Sequence, residues 1–323
     1  PTPYTCRRQR QMCIRDSWWP DALPPLDAEF DVGPGHNQPI WITVRVPKDA
    51  VAGDYHGTLQ LRAEDFNVDV PVKVHVWDFE LPDRNHLETA FGMSPRAALQ
   101  YHNAKTEEDR RQLLEMYFQS FSDHRISPYD PAPLDRIRTK FTADPPGAKI
   151  DFEAFDRAMT RAVEQFHFSG IRLPVEGMGG GTFHARYPPK ILGFGEETSE
   201  YQAMFSSYVR QLEQHLKDRG WLDMAYVYWF DEPAPRDYEF VTRGMERLKK
   251  YAPGLRRMLT EEPSDELEAP VDIWCPVTYN FDPEAAAQRQ AQGERVWWYV
   301  CTGPKAPYCT LFIDHPATEL RVW

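Results

Sequence analysis

The sequence has few cysteines, a deficit of positive charge and no long run of uncharged apolar residues. Its 323 residues include 37 Lys and Arg against 49 Asp and Glu, which gives a formal net charge of −12. Nucleic acids and anionic membranes attract clustered cations, so this balance argues against both as partners. A spanning helix needs about 20 consecutive apolar residues, and the sequence therefore predicts no membrane span.

Cysteine offers neither a disulfide framework nor a zinc motif. The chain contains five cysteines, an odd number without regular spacing, at Cys6, Cys13, Cys275, Cys301 and Cys309. None belongs to a Cys-x-x-Cys pair or a Cys/His cluster, which are the patterns that structural zinc requires. We therefore expect free thiols, with a Cys301–Cys309 disulfide across a short loop as the alternative, and no structural metal.

Aromatic residues and proline are plentiful by contrast. The composition is 41% hydrophobic and 13% aromatic, with 10 Trp, and 29 prolines exceed 18 glycines. A chain of this kind can bury a large core, which argues against intrinsic disorder. The prolines indicate many rigid loops between regular elements. The Trp and Tyr residues are then either core or a binding platform.

The first residues differ in composition from the rest of the chain. PTPYTCRRQRQMCIRDS is basic, lacks the apolar segment of a signal peptide and shows no strand or helix period. We interpret residues 1–19 as a non-native leader and exclude them from the fold prediction. On this interpretation the natural N-terminus is missing, so the absence of an export signal does not indicate a cytoplasmic location.

Residues 20–84 predict part of a β-sandwich. Polar and apolar residues alternate in WITVRVP, at positions 41–47, and valines fall on one face at alternate positions from Val70 to Val76. Pro71 favours an edge strand, because proline cannot donate a hydrogen bond to a neighbouring strand. Short strands separated by turn residues are typical of sandwiches.

Residues 85–323 predict a (β/α)8 TIM barrel. Thr106 and Asp109 form a capping box ahead of one helix, and apolar residues spaced by three and four mark further helices at 152–166, 205–216 and 241–248. Seven apolar strands alternate with these helices: HLETAFGM, RISPYDP, GIRLPVEG, MAYVYWFDEP, RRMLTEEP, VDIWCPVTYN and RVWWYVC. Such alternation predicts a parallel sheet. The glycine-rich phosphate fingerprint that is typical of a doubly wound sheet is missing after the first strand, which favours a barrel. Because an eighth strand is needed, we expect a barrel truncated at its C-terminal end.

The sharpest catalytic candidate is the pair Asp231 and Glu232, which ends the fourth barrel strand. Six uncharged residues precede the pair and Pro233 follows it. Barrel enzymes carry their catalytic groups at the C-terminal ends of strands. Neighbouring carboxylates suit glycoside hydrolysis, in which one stays protonated and the other charged. In ordinary retaining enzymes the nucleophile and the acid are two carboxyl groups about 5 Å apart, a separation that adjacent residues do not readily give. The pair therefore favours substrate-assisted catalysis. Both carboxylates can face one site only if the strand bends there.

From about Gln38 to Trp323 the sequence resembles glycoside hydrolase family 123. The resemblance is carried by QPIWITVRVPKDAVAGDYHGTL, VHVWDFELP, HRISPYDP, YWFDEP and LFIDHPATELRVW. It implies a β-sandwich ahead of a barrel and retaining β-N-acetylgalactosaminidase activity on a glycan, without a cofactor. It also implies that Asp231 stabilises the substrate's acetamido group and that Glu232 is the general acid/base. A secreted or periplasmic location is a further implication.

Other strand ends offer substrate-binding candidates. His124 occurs in HRISPYDP at the second strand, where it would bond a sugar hydroxyl unless it is a structural histidine. Tyr279 and Asn280 end the sixth strand, and Tyr279 would donate to the acetamido carbonyl, as a tyrosine does in comparable enzymes. Trp297 and Trp298 are adjacent, so one of them faces the barrel interior. We favour Trp298 as the sugar-stacking platform.

Two further motifs have more ordinary interpretations. Glu261 and Glu262 in LTEEP are a rival carboxylate pair, for which a solvated turn is the favoured interpretation. The run GMGGG at 177–181 lacks the Lys-Ser/Thr of a phosphate loop and is interpreted as a flexible loop over the site.

The leading hypothesis is an exo-acting hexosaminidase that removes β-linked N-acetylgalactosamine. Two alternatives remain at this point: a glycosidase acting on a sugar without an acetamido group, and a carbohydrate-binding barrel that has lost catalysis. The sequence makes no prediction of oligomeric state.

Overall fold

The structure is a computed structural model, and it describes residues 7–11, 14–19, 29–64, 66–84, 86–267 and 269–299. For residues 7–11, 14–19 and Tyr279 it describes the backbone alone. The chain divides into two compact units, Pro1–Pro82 and Asp83–Trp323. Cys301, Cys309, the last family phrase and the predicted C-terminal truncation lie outside the described residues.

The first unit contains two antiparallel hairpins. In one, β1 (Arg7–Gln11) pairs with β2 (Ile14–Trp19). In the other, β3 (Gly53–Ala63) pairs with β4 (Phe66–Val76), and the valines at alternate positions lie in β4. Pro71 is tolerated in β4 because proline has no N–H to donate and, within the residues that the structure describes, β4 pairs with β3 alone.

The segment 41–47, whose alternation predicted a strand, is not a strand in the structure. Trp41 is 77% exposed, and the segment pairs with no strand among the described residues. Alternation produces a strand only where a neighbour receives the backbone hydrogen bonds. The β-sandwich and its boundaries therefore stay predictions.

The second unit alternates strands and helices. In chain order its elements are α1 (Pro95–Tyr101), α2 (Glu107–Asp123), β5 (Arg138–Ala143), β6 (Pro146–Asp151), α3 (Glu153–Glu164), β7 (Ile171–Arg172), β8 (Gly180–Thr182), β9 (Ala185–Tyr187), β10 (Lys190–Ile191), β11 (Phe194–Gly195), α4 (Ser199–Asp218), β12 (Ala225–Tyr228), β13 (Phe230–Asp231), α5 (Tyr238–Tyr251), β14 (Arg256–Leu259), β15 (Ile273–Trp274), α6 (Pro283–Ala291) and β16 (Arg295–Val296). Single-turn 3₁₀ helices lie at Leu222–Met224, Pro235–Asp237 and Thr278–Asn280.

A parallel sheet organises this unit, which therefore has an α/β fold. Strands β7, β12, β14, β15 and β16 are neighbours in that order. Two segments extend the sheet beyond β7, because Phe91 forms a parallel bridge with Pro128 and the Arg172 amide donates to the Tyr129 carbonyl. The seven segments are those that the sequence predicted, and they lie side by side in chain order.

Ion pairs connect the two sides of this sheet. Glu88, just before the first segment, pairs with Arg295 in β16. The Arg256 guanidinium lies 3.6 Å from the same carboxylate. The sheet is therefore curved enough to bring its first and last segments together at the N-terminal ends of the strands.

Helices α2, α3, α4 and α5 confirm the helices that the apolar spacing predicted. The capping box at the start of α2 is present, since the Asp109 amide donates to Thr106 Oγ1 at 3.0 Å and the Thr106 amide donates to the Asp109 carboxylate at 3.1 Å. Helix α6 was not predicted, because PEAAAQRQA carries helix propensity without an apolar stripe. No described helix has both the length and the apolar character needed to cross a membrane.

The concave side of the sheet is lined by a small aromatic cluster. It contains buried Tyr226, Met258, Ile273 and Cys275, with Tyr228, Trp297 and Tyr299 packed against them. The rings of Tyr226 and Trp297 meet edge to face with their centroids 5.1 Å apart. Part of the aromatic excess of the sequence therefore lies inside the curve of the sheet, below the C-terminal strand ends.

Candidate active site

The fourth strand breaks immediately before the predicted catalytic pair. Strand β12 ends at Tyr228, and β13 leaves the central sheet to pair with β8. Glu232 then adopts a left-handed backbone conformation with φ of 45°. Non-glycine residues rarely occupy this region, and those that do are often found at functional sites. The break and this turn supply the bend that two adjacent carboxylates need in order to face one site.

The Asp231 carboxylate is held by hydroxyl groups from two strands. The Tyr228 hydroxyl and Thr260 Oγ1 both donate to Asp231 Oδ1, the latter at 3.2 Å. Burial, followed by the hydrogen bond to Asp231, raises the pKa of Tyr228. The phenol therefore stays a neutral donor, and the orientation of Asp231 is set by its neighbours.

Glu232 is held at its backbone and at its side chain. Its amide donates to Thr260 Oγ1 at 2.9 Å, and its Oε1 accepts a hydrogen bond from the Tyr299 hydroxyl. Tyr299 lies in the seventh segment, where it forms a parallel bridge with Val277. Strands four, five and seven therefore converge on the Asp231-Glu232 pair.

The rival pair Glu261 and Glu262 lies beside this site, and its interpretation as a solvated turn is wrong. Both residues are partly buried. Burial, with the negative charges of Glu262 and then Glu232, raises the pKa of Glu261 to about 7. The fifth strand thus adds a carboxyl group that holds its proton to a higher pH than an ordinary glutamate does.

Two predicted residues follow the sixth strand. Asn280 donates from Nδ2 to Glu262 Oε1 at 2.6 Å, which ties the sixth strand end to the fifth. Tyr279 lies in the 3₁₀ helix Thr278–Asn280, where its backbone alone is described.

Trp298 does not share a face with Tyr299. Beyond the end of β16, the amides of Trp297 and Tyr299 donate to the carbonyls of Trp274 and Pro276, which is the two-residue spacing of a parallel strand pair. Side chains alternate along such a strand, and Trp297 and Tyr299 both pack on the concave cluster. Trp298 therefore points to the opposite face, and the residue of this strand that meets Glu232 is Tyr299.

His124 lies away from the catalytic pair. It caps the C-terminus of α2, is exposed, and its Nδ1 lies 2.7 Å from the Ser120 carbonyl oxygen. It therefore precedes the second strand instead of following it. The sequence reasoning treated HRISPYDP as a strand end, whereas its first residues complete a helix.

Sequence reasoning missed three residues that contact the pair: Tyr228, Thr260 and Tyr299. Each stands at or near the C-terminal end of a predicted strand, so comparing the hydroxyl residues at all strand ends would have found them.

Tyr129 lies at the end of the second strand. The Arg172 guanidinium carbon lies over its ring, 4.9 Å from the ring centroid. Its pKa is raised mainly by burial, with a smaller contribution from the charge of Asp231.

One cavity of the second unit lies apart from this site. A cavity of about 330 Å³ lies between α2, α3 and the segment 131–135, and none of the residues around Asp231 lines it. Among the described residues, no group of three or more His, Cys, Asp and Glu is arranged to hold a metal ion.

Two family models match the chain. The model described as "Glycoside hydrolase 123, catalytic domain" matches residues 185–323 and includes Asp231 and Glu232. The model described as "Glycoside hydrolase 123 N-terminal domain" matches residues 2–63, which include most of the leader that the sequence prediction set apart. No curated protein matches the chain.

A similar solved structure is a family 123 glycoside hydrolase from Clostridium perfringens, analysed for glycolipid glycan hydrolysis. The two chains are 14% identical with a TM-score of 0.53, and the match covers 81% of this chain and 52% of the other. At this identity the likeness shows the fold alone. The present chain thus spans about half the length of that relative.

Proposed function

The chain belongs to glycoside hydrolase family 123, and from this premise we propose that it is a retaining, exo-acting hexosaminidase that removes β-linked N-acetylgalactosamine from glycans. One observation carries the proposal: Asp231 and Glu232 share a strand end, where hydroxyl groups from three strands hold them. Both carboxylates also lie within the match to the catalytic-domain model.

The proposed architecture is a (β/α)8 barrel at 85–323, preceded by a β-sandwich at 20–84. Seven parallel segments in chain order, and an ion pair between the first and the last, support the barrel. A barrel gathers the C-terminal ends of its strands around one opening. That arrangement accounts for the meeting of Tyr228, Thr260 and Tyr299.

The first chemical step is an internal displacement. The carbonyl oxygen of the substrate's 2-acetamido group attacks the anomeric carbon while the bond to the leaving oxygen breaks. Glu232 gives its proton to that oxygen, which keeps the leaving group neutral. Asp231 accepts a hydrogen bond from the acetamido N–H and stabilises the positive charge of the oxazolinium ion that forms.

The second step returns the enzyme to its starting state. Glu232, now a carboxylate, takes a proton from a water molecule, which attacks the anomeric carbon and reopens the oxazolinium ring. Two displacements at one carbon retain its configuration. Tyr299 occupies one oxygen of Glu232, so the other oxygen is available to carry the proton.

The remaining sequence candidates have unequal support. Asn280 lies near the site through Glu262, and Tyr279 stays a proposed donor to the acetamido carbonyl. The positions of His124 and Trp298 do not support contact with the sugar that is cleaved. A glycan is the proposed partner, with a secreted or periplasmic location.

Removing the acid tests the assignment of Glu232. Glu232→Gln should lower kcat/KM, which reports the first displacement, about 10²- to 10⁴-fold on a methyl β-N-acetylgalactosaminide, whose leaving group needs a proton. It should lower kcat/KM much less on a dinitrophenyl glycoside, whose leaving group needs none. Glu239→Gln is the matched control, because Glu239 is an exposed carboxylate of α5 that pairs with Arg243. Equal losses on both substrates would show that Glu232 is not the acid.

Inhibition tests the substrate-assisted step. A thiazoline analogue of the oxazolinium ion should inhibit the chain competitively, and a plain aryl galactoside should not be hydrolysed. Hydrolysis of the galactoside without thiazoline inhibition would favour a glycosidase on a sugar lacking the acetamido group. Glycan binding without turnover of any substrate would favour a carbohydrate-binding barrel.

A further inference from the structure

The glycine-rich run is a structural neighbour of the catalytic strand. Strand β8 pairs in parallel with β13, so that Gly181 lies opposite Phe230 and Thr182 lies opposite Asp231. Strand β9 then returns antiparallel to β8 and completes a hairpin. The expectation of a flexible loop is therefore wrong for Gly180 and Gly181, which belong to a paired strand.

Glycine is required at one position for this close packing. A Cβ atom on Gly181 would lie 2.5 Å from the Phe230 ring and 2.7 Å from the Ala185 carbonyl oxygen. Any larger residue would push the hairpin away from β13. The glycines of GMGGG therefore allow the β8–β9 hairpin to lie directly against the strand that carries Asp231.

The tip of the hairpin is fastened to the segment that follows Glu232. The Arg236 guanidinium donates to the Phe183 carbonyl, and Arg186 Nη1 donates to the Arg236 carbonyl at 3.0 Å. Arg186 Nε also lies 3.3 Å from Asp237, whose side chain is only 2% exposed. Backbone pairing at the base and these contacts at the tip hold the hairpin rigidly.

Two rings are presented at this tip. Phe183 is 38% exposed, His184 is exposed, and their ring centroids lie 3.9 Å apart at a tilt of 41°. An aromatic face binds the apolar C–H face of a pyranose, and an imidazole can donate to or accept from its hydroxyls. The pair therefore has the chemistry of a sugar platform.

We propose that Phe183 and His184 form a subsite for the sugar on the leaving-group side of the cleaved bond. Thr182 lies opposite Asp231, so the next residue, Phe183, lies beyond the end of the catalytic strand. Glu232 follows Asp231 at the same level and protonates the oxygen that joins the two sugars. The ligand is a neutral hexose of the glycan, and the inference rests on the proposed function.

Two substrates separate this subsite from the catalytic groups. Phe183→Ala should lower kcat/KM about tenfold on a disaccharide with a non-reducing β-linked N-acetylgalactosamine, as a stacking contact of about 1.4 kcal/mol predicts. On the methyl glycoside, which has no second sugar, it should change kcat/KM less than about twofold. Phe183→Tyr keeps the ring and should retain the natural rate on both.

Tyr187→Ala provides the matched control, since Tyr187 is a 65% exposed aromatic residue at the base of the same hairpin. It should leave both substrates unaffected. If Phe183→Ala lowered kcat/KM equally on the two substrates, or on neither, the proposed subsite would be wrong.

A binding measurement keeps this test independent of turnover. In saturation-transfer NMR on Glu232→Gln, the reducing-end sugar of the disaccharide should receive saturation, and Phe183→Ala in the same background should abolish that transfer. Transfer that survives Phe183→Ala, or that never reaches the reducing-end sugar, contradicts the proposal. If the natural chain hydrolyses neither substrate but this transfer occurs, the subsite stands and the proposed hydrolysis fails.

Discussion

At the scale of single residues, Thr260 is the group that joins the two carboxylates proposed to be catalytic. Its hydroxyl accepts from the Glu232 amide, donates to Asp231 and lies 3.3 Å from the Tyr228 hydroxyl. Because Glu232 has an unfavourable left-handed backbone, a hydrogen bond to its amide helps to keep the carboxyl group aimed at the site. We infer that Thr260 is a positioning residue.

Removing this hydroxyl should reduce activity without unfolding the chain. Thr260→Val keeps the shape of the side chain and loses its three hydroxyl contacts. A hydrogen bond to a charged group is worth about 1.5–3 kcal/mol. We therefore expect kcat to fall roughly 10- to 100-fold with KM little changed. Thr260→Ser should restore most of kcat. Thr89→Val is the control, since the Thr89 hydroxyl also accepts a backbone amide, that of Ser127, far along the chain from the pair. A Thr260→Val enzyme with natural kcat would contradict this role.

Glu261 should make stability depend on pH. Its pKa is raised to about 7 in the folded chain, above its ordinary value of 4.5. The folded state therefore binds the proton more tightly than the unfolded state does. The contribution of Glu261 is fully present below about pH 4.5 and is lost as the pH rises through about 7.

Urea unfolding at pH 5 and pH 8 measures this effect. Glu261→Gln should reduce the loss of unfolding free energy between these two pH values and should be the more stable protein at pH 8. Glu239→Gln, whose carboxylate is 84% exposed, should keep the natural dependence. An unchanged dependence in Glu261→Gln would mean that its carboxyl group titrates normally.

At the scale of elements, packing between α5 and the broken strand holds the pair in place. Trp229, between β12 and β13, stacks on Phe240 with ring centroids 5.4 Å apart. A Cβ atom on Gly244 would lie 2.3 Å from the Trp229 ring. Gly244 therefore gives the helix its close approach, although glycine costs a helix about 1 kcal/mol relative to alanine.

Gly244→Ala should destabilise the chain in spite of its better helix propensity. The overpacked methyl group should cost about 1–3 kcal/mol and displace Trp229, so thermal unfolding should occur at lower temperature and kcat should fall as well. Gly195→Ala is the control, because no atom lies within 4 Å of the Cβ position there. A gain in stability from Gly244→Ala would show that helix propensity outweighs the packing.

At the scale of the whole molecule, curvature of the parallel sheet is what brings distant strand ends together. The ion pair between Glu88 and Arg295, which are separated by 207 positions in the chain, is evidence of this curvature at the N-terminal ends of the strands. A flat sheet of seven segments would hold its first and last strands far apart. We therefore expect the geometry around Asp231 and Glu232 to depend on this curvature.

A double-mutant cycle measures that closure. Glu88→Gln and Arg295→Gln should together show a coupling of about 0.2–1 kcal/mol in urea unfolding, as expected for a partly exposed pair. High salt should reduce the coupling. Strict additivity of the two single changes would contradict a stabilising ion pair between the first and last segments.

The sequence by itself determined the order of elements in the second unit and singled out Asp231 and Glu232 as the proposed catalytic pair. Apolar periodicity is a local property, so the seven strands and helices α2 to α5 could be predicted without knowing any contact. The same periodicity misled at 41–47, where no strand in the described part of the chain receives the hydrogen bonds.

Only the tertiary structure decided what surrounds the pair. Tyr299 meets Glu232 across 67 positions, and Thr260 meets Asp231 across 29, through the order and curvature of the strands. The choice of Tyr299 over Trp298 depends on strand register, which one residue reverses. The β8–β9 hairpin lies beside Asp231 because Gly181 leaves room against Phe230, a steric relation that no local pattern contains.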